Sequence, residues 1–139
     1  MTMPMEYARA SHEFEAFMTD FMTAADLPTH HRAYHCIRAV LHVFRSHLEI
    51  AGALAFAQVL PPVLRAIYAE DWVPNMHPAP FPNRAALFLE VKSIRKDHNL
   101  APDSVISDAA AALRRHVDTV ALDRVLAGLP PSAREFWTP

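Results

Sequence analysis

Glycine is almost absent. Gly52 and Gly128 are the only two in 139 residues. Tight β-hairpins need positive-φ positions, usually supplied by glycine or asparagine, and the asparagines are Asn75, Asn83 and Asn99 alone. A hairpin-rich β architecture is therefore not expected. Cysteine is scarcer still: Cys36 is alone, which excludes an internal disulfide framework and fits a reducing compartment. No apolar run reaches membrane-spanning length, so no transmembrane segment and no membrane association are expected. The opening "MTMPMEYARASHEF" lacks a basic stretch followed by an apolar one, so no secretory signal is expected and the cytoplasm is the expected location. A basic excess is also missing. Thirteen Lys and Arg face fifteen Asp and Glu, a net charge of −2, so nucleic acid is not an expected partner.

What the chain does have is apolar content, 52%, with 20% charged residues. That describes a folded chain, and its length fits one domain, residues 1–139, with a true core. Twelve prolines cluster between segments, as helix punctuation does. Phe14, Phe17, Met18, Phe21 and Met22 form one apolar stripe at helical spacing, with Ser11 as the expected N-cap. Tyr34, Ile37, Leu41, Phe44 and Leu48 form a second. "GALAFAQVL" predicts a short third helix, and "PPVLRAIYAEDW" a fourth that opens on its prolines. Pro74, Pro78, Pro80 and Pro82 then exclude a helix and predict an extended linker. Asn83 caps the next helix, "RAALFLEVKSI". Pro102 and Asp103 open another through "VISDAAAALRRHV". "VALDRVLAGL" and "PPSAREFW" complete the order.

The order after the linker repeats the order before it. At one constant offset, Leu60-Pro61-Pro62 maps onto Leu129-Pro130-Pro131, Tyr68 onto Trp137, Ile37 onto Ile106, and "RSHLE" (45–49) onto "RRHVD" (114–118). The expected fold is all-α: two pseudo-repeats of about four helices each, packed as one helical domain. Repeat one covers about residues 11–72, the proline-rich linker 73–82, and repeat two 83–137. Each unit is too small to bury its stripe well alone, so the two should pack together about a pseudo-twofold axis.

The stretch "AQVLPPVLRAIYAEDW" also resembles the signature of the bacterial domain of unknown function 2267 family. "AALRRHVDTVALDRVLAGLPPSAREFW" resembles the same family's second half. The resemblance covers about residues 11–137. Asp71 stands where the family often has glycine, and "EIAGA" and "DTVAL" stand where it often has a glycine-rich bend. The resemblance implies an all-helical, two-repeat prokaryotic protein. It implies no activity and therefore no functional residues.

The candidate chemistry lies in "HHRAYHCIRAVLHVFRSH". At about 100° per residue, His31, His35, Arg38 and His42 share one stripe of the second helix. His31 and His35 have the i, i+4 spacing that lets two imidazoles share one metal ion, zinc or nickel, with at least one further ligand from elsewhere. His30 is placed to reach it from the helix start. His42 is too far along the axis, roughly 10 Å from His35, and Arg38 between them disfavours a cation. Cys36 lies off the stripe and reads as a structural thiol. His47 matches His116 in the offset and sits near a helix end, where the helix dipole favours a histidine.

Enzyme templates fail. "HEFEAF" begins like a zinc-protease helix, but Ala16 stands at the second histidine position. No Glu-x-x-His occurs, no glycine-rich phosphate loop and no G-x-S-x-G. The doublets Arg95-Lys96 and Arg114-Arg115 are diluted by Asp97 and Asp118 and read as a solvated face. Tyr68, Trp72 and Trp137 read as anchors between the repeats, and Arg65 and Arg134 as caps of helix carbonyls or stackers on those rings. The expected function is non-enzymatic: a small helical binding or self-association protein of the bacterial cytoplasm, with a protein partner or a copy of itself. The alternative is a metal-binding protein or metal-dependent enzyme that uses His31 and His35. No cofactor is otherwise expected.

Overall fold

The stripe of Phe17, Met18 and Phe21 turns inward, and all three are buried on helix α2 (Ala10–Ala25). The computed structural model describes residues 2–94 and 101–139. A short helix, α1 (Met5–Ala8), precedes α2. Ser11 is therefore not the N-cap: it is the second residue of α2, and no side chain caps that end. Backbone bonds run straight through the junction, from Arg9 N–H to Met5 and from Glu13 N–H to Arg9, so no capping side chain is required. The other end of α2 stops at Asp26, which takes the left-handed conformation at φ 52°. Leu27 N–H then reaches back to the Met22 carbonyl at 3.0 Å, a closure that glycine or a short polar residue usually makes.

Thr29 caps α3 (His30–Ser46) by accepting from Arg32 N–H at 3.1 Å. Helices α4 (Ile50–Ala57) and α5 (Pro62–Ala69) follow, the second opened by proline as expected. Residues 73–82 are non-helical, yet the linker is anchored. The Phe81 ring packs 5.7 Å from Phe44 and 5.9 Å from His47. Asn83 caps α6 (Arg84–Ser93) through Ala86 N–H at 2.9 Å. Helix α7 (Val105–Arg114) opens later than Pro102-Asp103 suggested. Asp118 caps α8 (Thr119–Ala127), and α9 (Pro131–Phe136) ends the chain. Among the described residues there is no strand, and the helices share one core.

Packing is crossed between the first and second halves of the chain. Helix α2 lies along α7, and α3 lies along α6, while α3 meets α7 and α4 meets α8 near the middle. The centre is aromatic. Trp137 stacks on Phe56 at 5.4 Å and meets Phe44 edge-on at 5.4 Å, and Phe136 lies 5.0 Å from Phe44. Each such ring contributes on the order of 2 kcal/mol through burial, plus about 1 kcal/mol from its ring contacts. Trp137 thus anchors the end of the chain onto α3 and α4.

The carbonyl ends of α5 and α9 are both met by arginines, as the helix dipole favours. Arg45, buried on α3, donates to the Tyr68 and Glu70 carbonyls at 2.5 and 2.7 Å. Burial lowers its proton affinity, while Tyr68, Asp71 and Glu70 act against that. Arg114 on α7 donates to the Trp137 carbonyl at 2.8 Å. Arg84 adds donations to the Glu135, Phe136 and Thr138 carbonyls, and burial lowers its proton affinity too. Tyr68 donates its hydroxyl to the Ala53 carbonyl at 2.8 Å, and burial pushes its pKa up. Trp137 Nε1 is buried without a partner among the described residues.

Candidate functional site

The histidine stripe of α3 divides into two environments. His31 is exposed and His35 half-buried, and their rings sit edge to face with centroids 4.4 Å apart. Tyr34 lies 5.1 Å from His35. Among the described residues no group of three or more His, Cys, Asp or Glu side chains is placed to hold one ion. His31 and His35 are brought together as the spacing predicts.

Further along α3 the stripe meets the end of α5. His42 Nε2–H donates to the Ile67 carbonyl at 2.7 Å, so this ring is spent on a helix end. Burial lowers its pKa, the bond to Ile67 raises it, Arg45 and Arg38 lower it, and Glu70 raises it. Arg38 donates to Glu70 at 3.2 Å and to Asp71 at 3.1 Å, and Tyr34 donates its hydroxyl to Glu70 at 3.4 Å. The repulsion expected from Arg38 is thus largely answered by two carboxylates, which the sequence places more than thirty residues away. Asp71 holds its position with a left-handed backbone, φ 53°, where glycine would be the easier residue. Cys36 is buried, and burial raises its pKa while Arg32 lowers it. It is a structural thiol, as expected.

His47 and His116 do not stop at helix ends. His47, at the C-cap of α3, places Nε2 2.8 Å from Glu90 on α6. His116, just past α7, places Nε2 2.5 Å from Asp20 on α2. Arg115 reaches the same Asp20 at 3.8 Å. The expected contact with the helix dipole is therefore joined by a bridge to a carboxylate on another helix in both cases. Arg65 caps α4, donating to the Ala57 and Leu60 carbonyls at 3.1 and 3.0 Å, whereas Arg134 is exposed. Arg45, rather than Arg65, lies over the Trp72 ring, at 5.8 Å. Of the two basic doublets, Arg95 and Lys96 lie outside the described residues. Arg114 is committed to Trp137 and to Asp123 at 3.0 Å.

The structure adds a cleft of about 340 Å³ that no sequence pattern marked. One wall is α1 with the first half of α2: Met5, Glu6, Arg9, Glu13, Phe14 and Phe17. The second is the α4–α5 corner, Gln58 to Arg65, and the third is the α7–α8 corner, His116 to Asp118. Its floor is apolar: Phe17, Leu60 and Leu64 are buried, and Phe14, Val59, Val63 and Val117 are half-buried there. Among the described residues the lining holds no serine, threonine, cysteine, lysine or tyrosine. Arg65 is turned to its own carbonyls, Asp118 to the N–H groups of α8, and His116 to Asp20. Arg9 meets Glu13 at 4.0 Å. The double proline Pro61-Pro62 in one corner was legible, but its meeting with α2 and Val117 was not.

The model of the family described as Uncharacterized conserved protein (DUF2267) matches residues 14–136 of the chain. This bears out the resemblance read from the Leu60–Trp72 stretch and its later echo. No curated protein matches the chain. No helix among the described residues is long and apolar enough to cross a membrane.

Proposed function

The chain belongs to the DUF2267 family of uncharacterized conserved proteins, and from that premise we propose that it is a small helical binding protein of the bacterial cytoplasm. It works without catalysis, on a scaffold of two copies of one helical unit, residues 11–72 and 83–137. The duplicated scaffold is supported by matched contacts. Arg45 with Tyr68 recurs as Arg114 with Trp137, and His47 with Glu90 recurs as His116 with Asp20.

The single observation that carries the binding reading is the cleft between α2, the α4–α5 corner and the α7–α8 corner. Its volume lies at the lower end of the range for ligand pockets, which suits a few apolar side chains of a partner polypeptide. Arg65, Asp118 and His116 already have partners, so Glu6, Arg9 and Glu13 set the rim, and with Arg9 against Glu13 it carries one net negative charge. The occupant is a partner segment with apolar anchors flanked by Lys or Arg. A lining without a hydroxyl, thiol or amine nucleophile favours holding over covalent chemistry.

Selection from a displayed peptide library tests this. Peptides with apolar anchors beside basic residues should be enriched by the wild-type chain and lost with Val117→Arg, which puts a bulky repelling charge on the apolar floor of the cleft. Selected peptides that bind the variant equally well, or no enrichment at all with both proteins folded, would sink the reading.

A further inference from the structure

We propose that a second cleft, set between the proline-rich linker, the start of α4 and the α8–α9 corner, binds a small organic cation with a flat aromatic body. No described residue lines both this cleft and the one above, so the two readings stand or fall separately.

The two glycines carry the argument. The chain has only Gly52 and Gly128, and both line this cleft. Neither has a positive φ, so the backbone demands glycine at neither place. Inside α4 a glycine weakens the helix. At the offset that relates the two halves, Gly52 matches Ala121 and Gly128 matches Val59, so the counterpart positions hold side chains. What these glycines do is leave room. A Cβ on Gly52 would come 2.7 Å from Leu129 Cδ2, so its absence lets the Leu129 side chain lie close against α4. A Cβ on Gly128 would have the Val125 carbonyl oxygen nearest, at 3.5 Å. Packing among the described residues therefore leaves space there for a side chain that the sequence withholds.

The space is about 700 Å³, within the range of small-molecule pockets. Its walls include Pro78, Pro80 and Phe81 of the linker and Pro130 of the α8–α9 corner. Such rings offer apolar faces on which an aromatic ligand stacks. The linker wall is held in place, since Phe81 packs on Phe44 and His47. Charge then selects the sign of the ligand. Among the described lining residues there is no Lys or Arg. His47 is engaged by Glu90 at 2.8 Å. Glu49 is exposed, and at the N-cap of α4 its side chain bonds to no N–H group of that helix. Its carboxylate is the charge that a bound cation would meet.

The experiment titrates the full chain with proflavine, a flat fluorescent cation, and with acridine carboxylate, an anionic relative, by fluorescence and calorimetry. The expected result is one proflavine per chain, with the anion bound far more weakly. Glu49→Gln should weaken proflavine binding about fivefold, the worth of one partly exposed ion pair. Gly128→Leu should abolish it by filling the cleft. Ala51→Leu, at an exposed lining position on α4, should do the same and keeps the test valid if Gly128→Leu fails to fold. No saturable binding would overturn the proposal. So would equal affinity for the anion, or binding that survives both leucine variants. Binding lost with Val117→Arg but kept with Gly128→Leu would put the dye in the first cleft and overturn it too.

Discussion

His47 Nε2 lies 2.8 Å from Oε2 of Glu90, and the two residues are 43 positions apart in the chain. The bond ties the end of α3 to α6. Its counterpart ties the end of α7 to α2, through His116 and Asp20. Each histidine closes a contact between the first and second halves of the chain. Both pairs keep solvent access on the carboxylate side, with 43% of the Glu90 side chain and 33% of that of Asp20 exposed.

A double-mutant cycle on His116→Ala and Asp20→Asn should return a coupling of about 0.5–1 kcal/mol, the range for partly exposed pairs. The same cycle on His47→Ala and Glu90→Gln should give a similar value. Urea denaturation of each set of four proteins measures it. A coupling indistinguishable from zero in both would mean that these contacts do not hold the halves together.

Arg45→Met should destabilise the protein by about 2–3 kcal/mol, since it strips a charged donor from two carbonyls at the end of α5. Arg45→Lys should recover only part of this. An ammonium lacks the planar fork that serves both carbonyls. Thermal melts at constant pH distinguish the two variants.

The two glycines should respond oppositely to alanine. Gly128 at the end of α8 has room, with the nearest backbone atom 3.5 Å from a new Cβ, so Gly128→Ala should stabilise by about 0.5 kcal/mol. A Cβ on Gly52, inside α4, would come 2.7 Å from Leu129 Cδ2. The helix-propensity gain of about 1 kcal/mol then meets an overpacking cost of about 1–3 kcal/mol. Gly52→Ala should therefore be neutral or destabilising. A clear gain in urea midpoint would show that Leu129 moves aside freely.

Acid should cost stability through His42. Its pKa is lowered in the fold, chiefly by burial, so below the ordinary value of 6.5 the unfolded chain binds the extra proton first. Stability then falls as pH drops from about 6.5 toward the folded value. His42→Gln keeps an N–H for the Ile67 carbonyl but does not titrate. The variant should lose less stability than the wild type between pH 7.5 and 5.5 in matched denaturation curves. Equal losses would mean that His42 titrates alike folded and unfolded.

The helices were legible because their signals are local. A stripe such as Phe17, Met18 and Phe21 repeats within two turns, and the caps Thr29, Asn83 and Asp118 act on N–H groups two or three residues away. Ser11 failed as a cap because α1 precedes it, and its residues form no apolar stripe. The pairing of His31 with His35 was legible for the same local reason. The neutralisation of Arg38 was not, because Glu70 and Asp71 reach it only after α5 docks on α3.

By itself the sequence determined the all-helical class, the order of the helices from α2 onward and the family, since periodicity, proline punctuation and the doubled Leu-Pro-Pro motif are written in neighbouring residues. Only the tertiary structure decided that α2 lies along α7 and α3 along α6. Only it placed carboxylates opposite His47 and His116 and opened a cleft where three distant segments meet. Those outcomes depend on which apolar faces bury each other best, a competition among surfaces that no short stretch of chain encodes.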